Sequence, residues 1–297
     1  MIDYHVHYHQ HGESGEYELQ RLESIAETAK RKGLVEVGLS EHVFRFVEFV
    51  DVVGDWWNDT DDPKWLRDHC EKYFAQHATQ SVHRYLDFLR ADHDWGVTIR
   101  AGLEVDFFPG RMAEVKQFLD SLELDFVLGS VHWIGAWGFD NEEVSDEWER
   151  RDPDSVYEQY FDHLLALAST GVPQVLAHPD LPKKFGYRSR NYDLAAAYSG
   201  LVTVCTREGV GLEVSSAGWR VPAQEQYPER QLLEVAVSRG AQLTTASDAH
   251  VPELVGYRVD NLCELLKGLG CREIYGYRQR RPIRFPLDPP ENSESRS

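Results

Sequence analysis

The chain has 297 residues, of which 42% are hydrophobic and 12% aromatic, a composition that predicts a folded protein with a large core and excludes a disordered polymer. Its formal net charge of −19 argues against a nucleic-acid-binding surface, which needs a basic stripe to pair with phosphates. The same charge is compatible with a small phosphorylated substrate, because bound divalent cations can reverse the local sign of a pocket.

The four cysteines, Cys70, Cys205, Cys263 and Cys271, are scattered without CxxC spacing, which is typical of reduced intracellular thiols. The N-terminal stretch lacks the charged and then apolar pattern of a signal peptide, and no apolar run approaches the length of a membrane-spanning helix. We therefore expect a cytoplasmic protein without nucleic-acid or membrane partners.

Short apolar runs alternate along the chain with longer amphipathic stretches. The runs predict strands at residues 2–7, 35–42, 97–108, 125–135, 173–180, 210–218, 241–250 and 272–277. Helical spacing of apolar residues predicts helices at 17–31, 84–92, 113–122, 155–170, 194–208, 229–239 and 261–268. Roughly seven strand–helix units with nearly all-apolar strands predict an α/β fold, a single closed or nearly closed barrel of parallel strands.

We expect one domain over residues 1–286. Residues 47–71, rich in Trp and Asp, follow the second strand and are interpreted as an insertion or lid, whose Trp56, Trp57 and Trp65 either close a site or make packing contacts. Residues 287–297 have the composition of a disordered tail.

Nearly every predicted strand ends in a residue that can bind a metal ion. In chain order these residues are His5 and His7, Glu41 and His42, Glu104 and Asp106, His132, His178 and Asp180, and Asp248 and His250. Any one of them would be a weak signal, but barrel active sites collect at the C-terminal ends of strands, where all of these lie. Imidazole and carboxylate ligands without thiolates suit zinc, iron or manganese, so we expect two or three divalent ions.

The same residues occur in the motifs HVH, SEH, GLEVD, GSVHWI, AHPD and SDAH, in that order. This set resembles the PHP (polymerase and histidinol phosphatase) superfamily, and the resemblance extends from about residue 2 to 286. The stretches VLGSVHWIGAWGFD, HPDLPKKFG and LEVSSAGWRVPAQEQYPERQLLEVAVSRGAQLTTASDAHVPELVG resemble its histidinol-phosphate phosphatase branch. The resemblance implies a distorted (βα)7 barrel of the PHP type with a trinuclear metal site.

The resemblance also implies how the ligands are divided among the ions. One ion is held by His5, His7, Glu104 and Asp248. Glu104 bridges to a second ion, which is held by His132 and His178. A third ion is held by His42 and His250, with one more ligand from the loop after the first strand.

That loop, HVHYHQHGE, departs from the family pattern, because Tyr8 stands where Thr is usual. Either Glu13 or His11 supplies the missing ligand, and the spacing from His7 favours Glu13. His9 is then expected to face outward or to line the rim of the pocket.

The resemblance implies hydrolysis of a small phosphate monoester, L-histidinol phosphate to L-histidinol and phosphate in histidine biosynthesis, by a hydroxide that bridges metal ions. A PHP-type phosphoesterase acting on a nucleotide or another sugar phosphate is the alternative. Asp248, His250 and His178 are the candidate catalytic residues. The sequence does not rank His250, Asp180 and His178 as proton donors to the leaving group.

Arg220, in the motif SAGWR, is the candidate substrate-binding residue, because a guanidinium group matches phosphate geometry bidentately. Lys183, Lys184 and Arg188 follow the HPD motif and are interpreted as a solvated charge run.

Overall fold

The computed structural model describes residues 1–10, 15–91 and 94–288. The strands are β1 (Ile2–Val6), β2 (Glu36–His42), β3 (Thr98–Asp106), β4 (Phe126–Ser130), β5 (Trp133–Ile134), β6 (Trp137–Gly138), β7 (Val175–Leu176), β8 (Gly211–Ser215), β9 (Leu243–Ala246), β10 (Glu273–Arg278) and β11 (Arg281–Pro286). The helices are α1 (Leu19–Arg31), α2 (Val47–Val53), α3 (Lys64–His77), α4 (Val82–Arg90), α5 (Met112–Asp120), α6 (Pro153–Ala168), α7 (Leu194–Glu208), α8 (Arg230–Ser238) and α9 (Val259–Gly268). Short 3₁₀ segments lie at Val43–Arg45, Trp56–Asp59, Glu142–Arg150, Leu181–Lys183, Ala217–Arg220 and Pro252–Leu254.

Seven parallel strands form one sheet in the order β1-β2-β3-β4-β7-β8-β9. The first strand meets the last at the bridge between Val6 and Ala249, where the His7 backbone N–H donates to the Ala249 carbonyl at 2.8 Å. The sheet is therefore a nearly closed barrel, and the predicted α/β barrel is confirmed.

Glycines make room for an aromatic ring between the strands of the barrel. A Cβ atom at Gly102 would lie 2.4 Å from the Phe126 ring, and one at Gly38 would lie 2.6 Å from it. The Phe126 ring also packs against Tyr4, with 4.8 Å between ring centroids. These two glycines are therefore needed because the ring occupies the space that a side chain would take.

The segment predicted as a strand at 272–277 is a strand, but it lies outside the barrel. It pairs as β10 with β11 in an antiparallel hairpin, which needs only a short turn between the two strands. The Tyr277 backbone N–H donates to the Tyr4 hydroxyl at 2.7 Å, and Tyr4 in turn contacts Glu36 at the start of β2. The hairpin thus covers the N-terminal end of the barrel, opposite the end where the strands finish.

Several predicted strands are shorter in the structure, among them the segments 125–135 and 173–180. The segment 125–135 is split, because β4 ends at Ser130 and a separate hairpin of β5 and β6 follows. The segment 173–180 contains only the two residues of β7. His178 and Asp180 have φ angles of +28° and +80°, which an extended strand does not contain.

Residues 47–71 contain α2, a 3₁₀ segment and the first part of α3, which continues to His77. Trp56 and Trp57 are buried, whereas Trp65 is 46% exposed. The Trp56 ring packs against Trp133 with 5.7 Å between centroids, and Asp62 accepts a hydrogen bond from the Ala136 backbone at 2.7 Å. The segment is therefore packed on the β5–β6 hairpin, next to His132.

Every helix in the described part of the chain is too short or too polar to span a lipid bilayer. All four cysteines are free thiols. Of the predicted tail, Leu287 still donates a backbone hydrogen bond to Arg272 at 2.9 Å, and residues 289–297 lie outside the described residues.

Candidate metal centre

The strand ends bring the predicted ligands together at one end of the barrel. The side chains come from β1 and the residue after it, from the last residue of β2, from β3, and from the segments that follow β4, β7 and β9. Three sets of residues each place one ligand atom per residue within 4.8 Å of the others in the set. These sets are His5, His7 and Asp248; His5, Glu104 and His178; and His7, His42 and His250. The structure thus brings together all the predicted ligands that it describes, and their binding of metal stays a prediction.

Glu104 lies at the middle of this cluster. Its Oε2 atom is 2.7 Å from His42 Nδ1 and 3.4 Å from His5 Nε2. Its Oε1 atom is 3.0 Å from His178 Nε2 and 3.5 Å from His132 Nε2. One carboxylate therefore faces histidines from four strand ends, as a ligand that bridges two ions must.

Asp248 and His250 lie on the more open side of the cluster. Asp248 Oδ1 is 3.5 Å from His7 Nε2 and 3.7 Å from His5 Nε2. The His250 ring stacks on the His7 ring with 4.1 Å between centroids, and His42 stacks on His7 at the same distance. The side chains of Asp248 and His250 are each 21% exposed, so the cluster is reached by solvent from this side.

Buried carboxylates behind two of the rings fix the orientation of these rings. His5 Nδ1 lies 2.7 Å from Glu213 Oε2, and His132 Nδ1 lies 2.7 Å from Asp106 Oδ1. Because an ionised carboxylate only accepts hydrogen bonds, each ring donates from Nδ1. The Nε2 atom of each ring then faces the cluster, which is the carboxylate–histidine arrangement found behind metal ions.

Imidazole nitrogens face one another at short distances inside the cluster. His5 Nε2 is 3.0 Å from His7 Nε2, and His132 Nε2 is 3.3 Å from His178 Nε2. Glu104 Oε2 is buried and faces His42 Nδ1 at 2.7 Å. Imidazole nitrogens and carboxylate oxygens converge here, so the set of ligand atoms suits two or three divalent ions.

The charges within the cluster shift the pKa values of its members in opposite directions. Burial alone would raise the pKa of Glu104, but His5, His42 and His132 lower it well below its usual range. Burial alone would lower the pKa of His5, but Glu213, Glu104 and Asp248 raise it well above its usual value. Burial alone would also raise the pKa of Asp248, but His5, His7 and His250 lower it well below its usual value. The carboxylates are therefore ionised and ready to bind a cation.

The segments that carry His178 and Asp248 have unusual backbone conformations. His178 and Asp248 have φ angles of +28° and +52°, in a region that residues other than glycine rarely adopt. The Glu213 carboxylate accepts a hydrogen bond from the His178 backbone at 3.2 Å. The buried Asp3 carboxylate accepts from the backbone N–H groups of Ser247 at 2.8 Å and Gly256 at 2.7 Å. Buried carboxylates therefore hold both segments in place.

Of the two alternatives for His9, facing outward is wrong, and lining the rim of the pocket stays a prediction. Only 4% of the residue is exposed, and its backbone N–H donates to Glu41 Oε2 at 3.0 Å. Glu41 in turn lies 3.0 Å from the Arg45 guanidinium. His9 is buried because the chain after β1 folds back over this ion pair. The two candidates for the loop ligand, His11 and Glu13, lie outside the described residues.

The structure places Arg220 beside Asp248. Its Nη2 donates to the Asp248 carbonyl at 2.9 Å, and its guanidinium carbon lies 5.2 Å from the centre of the Tyr257 ring. Its Nη1 is buried and makes no hydrogen bond to the residues that the structure describes. An anion bound beside Asp248 would satisfy this donor.

Lys183 and Lys184 are not the solvated charges that the sequence indicated. Lys183 is 1% exposed and lies 2.8 Å from Asp180, while Lys184 lies 3.1 Å from Asp140. Arg188 is 44% exposed and pairs with Glu225 at 2.8 Å. Lys183 is buried and Lys184 is partly buried, because acidic partners on neighbouring segments compensate their charge. Burial raises the pKa of Asp180 to about 7 against the opposing charge of Lys183.

Sequence reasoning assigned no role to Glu213, although it contacts both His5 and the His178 backbone. Asp106 was recognised only as a strand-end residue, and its contact with the His132 ring was not foreseen. Side chains alternate between the two faces of a strand, so the sequence could have shown that Glu213 shares a face of β8 with Ser215. That signal does not reveal which histidine the carboxylate reaches.

A family model described as PHP domain matches residues 3–217, which is more than half of the chain. The chain belongs to the PHP domain family. PHP relatives include a probable histidinol-phosphatase of Deinococcus radiodurans, 37% identical over 187 residues, which cover 62% of this chain and 70% of that protein. A histidinol-phosphatase of Bacillus subtilis is 26% identical over 264 residues, which cover 82% of this chain and 92% of that protein. These relatives agree with the histidinol-phosphatase branch that the motifs indicated.

Solved structures share the PHP fold of this chain. Histidinol phosphate phosphatase from Lactococcus lactis, complexed with zinc, L-histidinol and phosphate, has a TM-score of 0.70 and 19% identity, and the match covers 95% of this chain and 98% of that one. A putative histidinol phosphatase from Listeria monocytogenes has a TM-score of 0.66 and 16% identity, with 89% and 100% of the two chains covered. The distorted barrel is therefore the architecture of these proteins as well.

Proposed function

We propose that this protein is a metal-dependent phosphatase that hydrolyses L-histidinol phosphate to L-histidinol and phosphate, a reaction of histidine biosynthesis. The observation that carries the proposal is the convergence on Glu104 of histidines from four strand ends, in a chain similar to histidinol-phosphatases. The proposal includes a cytoplasmic location and a PHP domain over residues 1–286, with residues 47–71 as an insertion or lid.

The donor set supports the binding of two or three ions of zinc, iron or manganese. His5, His7, Glu104 and Asp248 would hold one ion, Glu104, His132 and His178 a second, and His42 and His250 a third, with Glu13 or His11 as a further ligand. Bound divalent ions would neutralise phosphoryl oxygens and supply a hydroxide nucleophile at neutral pH.

Other residues of the chain orient the histidine rings and bind the substrate. Glu213 and Asp106 fix the ring orientation of His5 and His132, so that their Nε2 atoms face the cluster. Arg220 would donate from its buried Nη1 to a phosphoryl oxygen, since its Nη2 is already held by the Asp248 carbonyl. Asp248, His250 and His178 are the residues proposed to contact the reacting group.

The test is phosphate release from L-histidinol phosphate by the metal-loaded wild type and by the variants His132→Ala and Arg220→Ala. We expect His132→Ala to lose most of the activity, because a ligand of the second ion is removed. We expect Arg220→Ala mainly to raise KM, with some loss of kcat. Arg230→Ala, a change at an exposed helix position, is the matched control and should leave both constants unchanged. Wild-type activity in the His132→Ala variant would contradict the proposed site.

A further inference from the structure

Tyr227 lies on the loop that follows β8, the loop that also carries Arg220. Its backbone N–H donates to the Ser215 carbonyl at 2.9 Å, and the Ser215 N–H donates to the Tyr227 carbonyl at 2.6 Å. The residue is 2% exposed. The backbone of Tyr227 is therefore fixed to the C-terminal end of β8, on the side of the barrel where the metal cluster lies.

The Tyr227 ring forms part of the wall of the metal centre. Its centroid lies 6.4 Å from that of the His178 ring, at an interplanar angle of 73°. The Lys183 ammonium group lies 5.2 Å from the centre of the ring. Contacts with two neighbouring side chains therefore hold the ring next to a predicted metal ligand.

The hydroxyl group of Tyr227 is buried, and it forms no hydrogen bond with any residue that the structure describes. Nearly all buried hydroxyl groups in proteins have a partner, so this one calls for an explanation. Burial and the negative charges of Asp180, Asp248 and Asp140 raise the pKa of the phenol, so it stays protonated. It is therefore a hydrogen-bond donor in need of an acceptor.

We propose that the Tyr227 hydroxyl donates a hydrogen bond to a phosphoryl oxygen of the substrate. This inference rests on the proposed phosphatase function, since a phosphoryl group bound at the cluster lies next to His178. Tyr227 and Arg220 then present two donors from one loop to the same phosphoryl group. Substrate binding gives the Tyr227 hydroxyl a hydrogen-bond acceptor. Without substrate, the buried hydroxyl lacks a partner, which lowers the stability of the folded protein.

The test compares Tyr227→Phe with Tyr157→Phe in the metal-loaded protein. The Tyr157 hydroxyl is a suitable control because it donates to the Tyr187 carbonyl at 3.0 Å and takes no part in the metal centre. For Tyr227→Phe we expect inorganic phosphate to bind about 10- to 100-fold more weakly by calorimetry, as for loss of a hydrogen bond to a charged group. We expect kcat/KM for L-histidinol phosphate to fall similarly.

Thermal unfolding separates this role from a structural one. Tyr227→Phe removes no hydrogen bond that the structure shows, so its unfolding midpoint without phosphate should equal or exceed that of the wild type. Tyr157→Phe should lower the midpoint and leave phosphate affinity unchanged. Unchanged phosphate affinity in Tyr227→Phe, or a lower midpoint together with loss of bound metal, would overturn the inference.

The phosphate measurement also separates this inference from the proposed function. If the wild type binds phosphate but does not hydrolyse L-histidinol phosphate, the proposed substrate is wrong while the role of Tyr227 can still be decided. If the metal-loaded wild type binds no phosphate, the inference fails.

Discussion

Single residues behind the histidines determine where the nitrogen lone pairs point. Glu213 accepts from the His5 ring and from the His178 backbone, so one carboxylate positions two predicted ligands from different strand ends. The Asp106 carboxylate does the same for the His132 ring. The geometry of the metal centre therefore depends on carboxylates that are not themselves predicted ligands.

We expect Glu213→Gln to weaken zinc binding by about 10- to 100-fold, the usual cost of removing such a partner of a metal-binding histidine. The glutamine keeps the size of the side chain but loses the charge that fixes the His5 ring. Competition with a chromophoric chelator measures the affinity. Glu158→Gln, at an exposed position of α6, is the control, and equal affinities for the two variants would contradict the assigned role.

The pKa of His132 should make the proposed zinc binding dependent on pH. Burial opposes a charge on the ring, but Asp106, Glu104 and Asp140 raise its pKa to about 10 in the metal-free protein. The stability that this raised pKa contributes is fully present below the unfolded value of about 6.5, and it is lost as the pH rises through about 10. Zinc needs the neutral ring, so binding at pH 7 should release a proton and strengthen as the pH rises.

Calorimetric titration with zinc at pH 7, in two buffers of different ionisation enthalpy, measures this release. The apparent heats should differ in the direction of proton release, and Asp106→Asn should reduce the difference. Equal heats in both buffers for the wild type would show that the ring is already neutral.

At the level of elements, the loop after β8 positions both Arg220 and Tyr227. Gly218 lies in this loop, and a Cβ atom there would fall 1.9 Å from the Glu225 carbonyl oxygen. The Glu225 backbone N–H donates to the Gly218 carbonyl at 3.3 Å, so the two sides of the loop are in direct contact. The close approach of two backbones is possible only without a side chain at residue 218.

We expect Gly218→Ala to lower the free energy of unfolding by about 1–3 kcal/mol, as for other overpacked sites. It should also raise KM, because the loop must move. Gly200→Ala is the matched control: Gly200 lies within α7 with no atom within 4 Å of the added Cβ, and the change should stabilise by roughly 0.5–1 kcal/mol. Urea unfolding and steady-state kinetics measure both effects, and an unperturbed Gly218→Ala protein would refute the argument.

The elements that could be predicted from the sequence are those with strong local signals. Helix α7 begins and ends as predicted, because a helical pattern runs unbroken from Leu194 to a glycine that follows Glu208. The position of β10 was predicted, but its placement in a hairpin outside the barrel depends on its contacts with Tyr4, which no local pattern encodes. Strand β7 was overestimated because the φ angles of His178 and Asp180 are set by tertiary contacts.

The sequence indicated which side chains cluster at the strand ends, and their role as metal ligands stays a prediction. Strand-end position and the resemblance to the PHP superfamily together indicated the ligands. The carboxylates behind them, the burial of His9 and the pairing of Lys183 with Asp180 depend on contacts between distant segments. These contacts cannot be predicted from the spacing of residues along one strand, because they join segments that are far apart in the sequence.

At the scale of the whole molecule, bound metal should link the strand ends that carry the ligands and stabilise the closed barrel. A ligand present at a hundredfold excess over its Kd stabilises the folded state by about 2.7 kcal/mol. Chelation should therefore lower Tm by about 4 °C, given the usual size dependence of this shift. Scanning calorimetry with and without chelator measures the shift, and Glu104→Gln should show much less of it. An unchanged Tm would indicate that the centre binds no metal.

The most direct test of the whole account is the substrate preference of the metal-loaded protein. The measurement compares kcat/KM for L-histidinol phosphate with kcat/KM for a nucleoside monophosphate and for p-nitrophenyl phosphate. The account predicts a preference for L-histidinol phosphate of about 100-fold, because a site built to bind one leaving group discriminates against others. Equal values for the three esters, or a preference for the nucleotide, would contradict it.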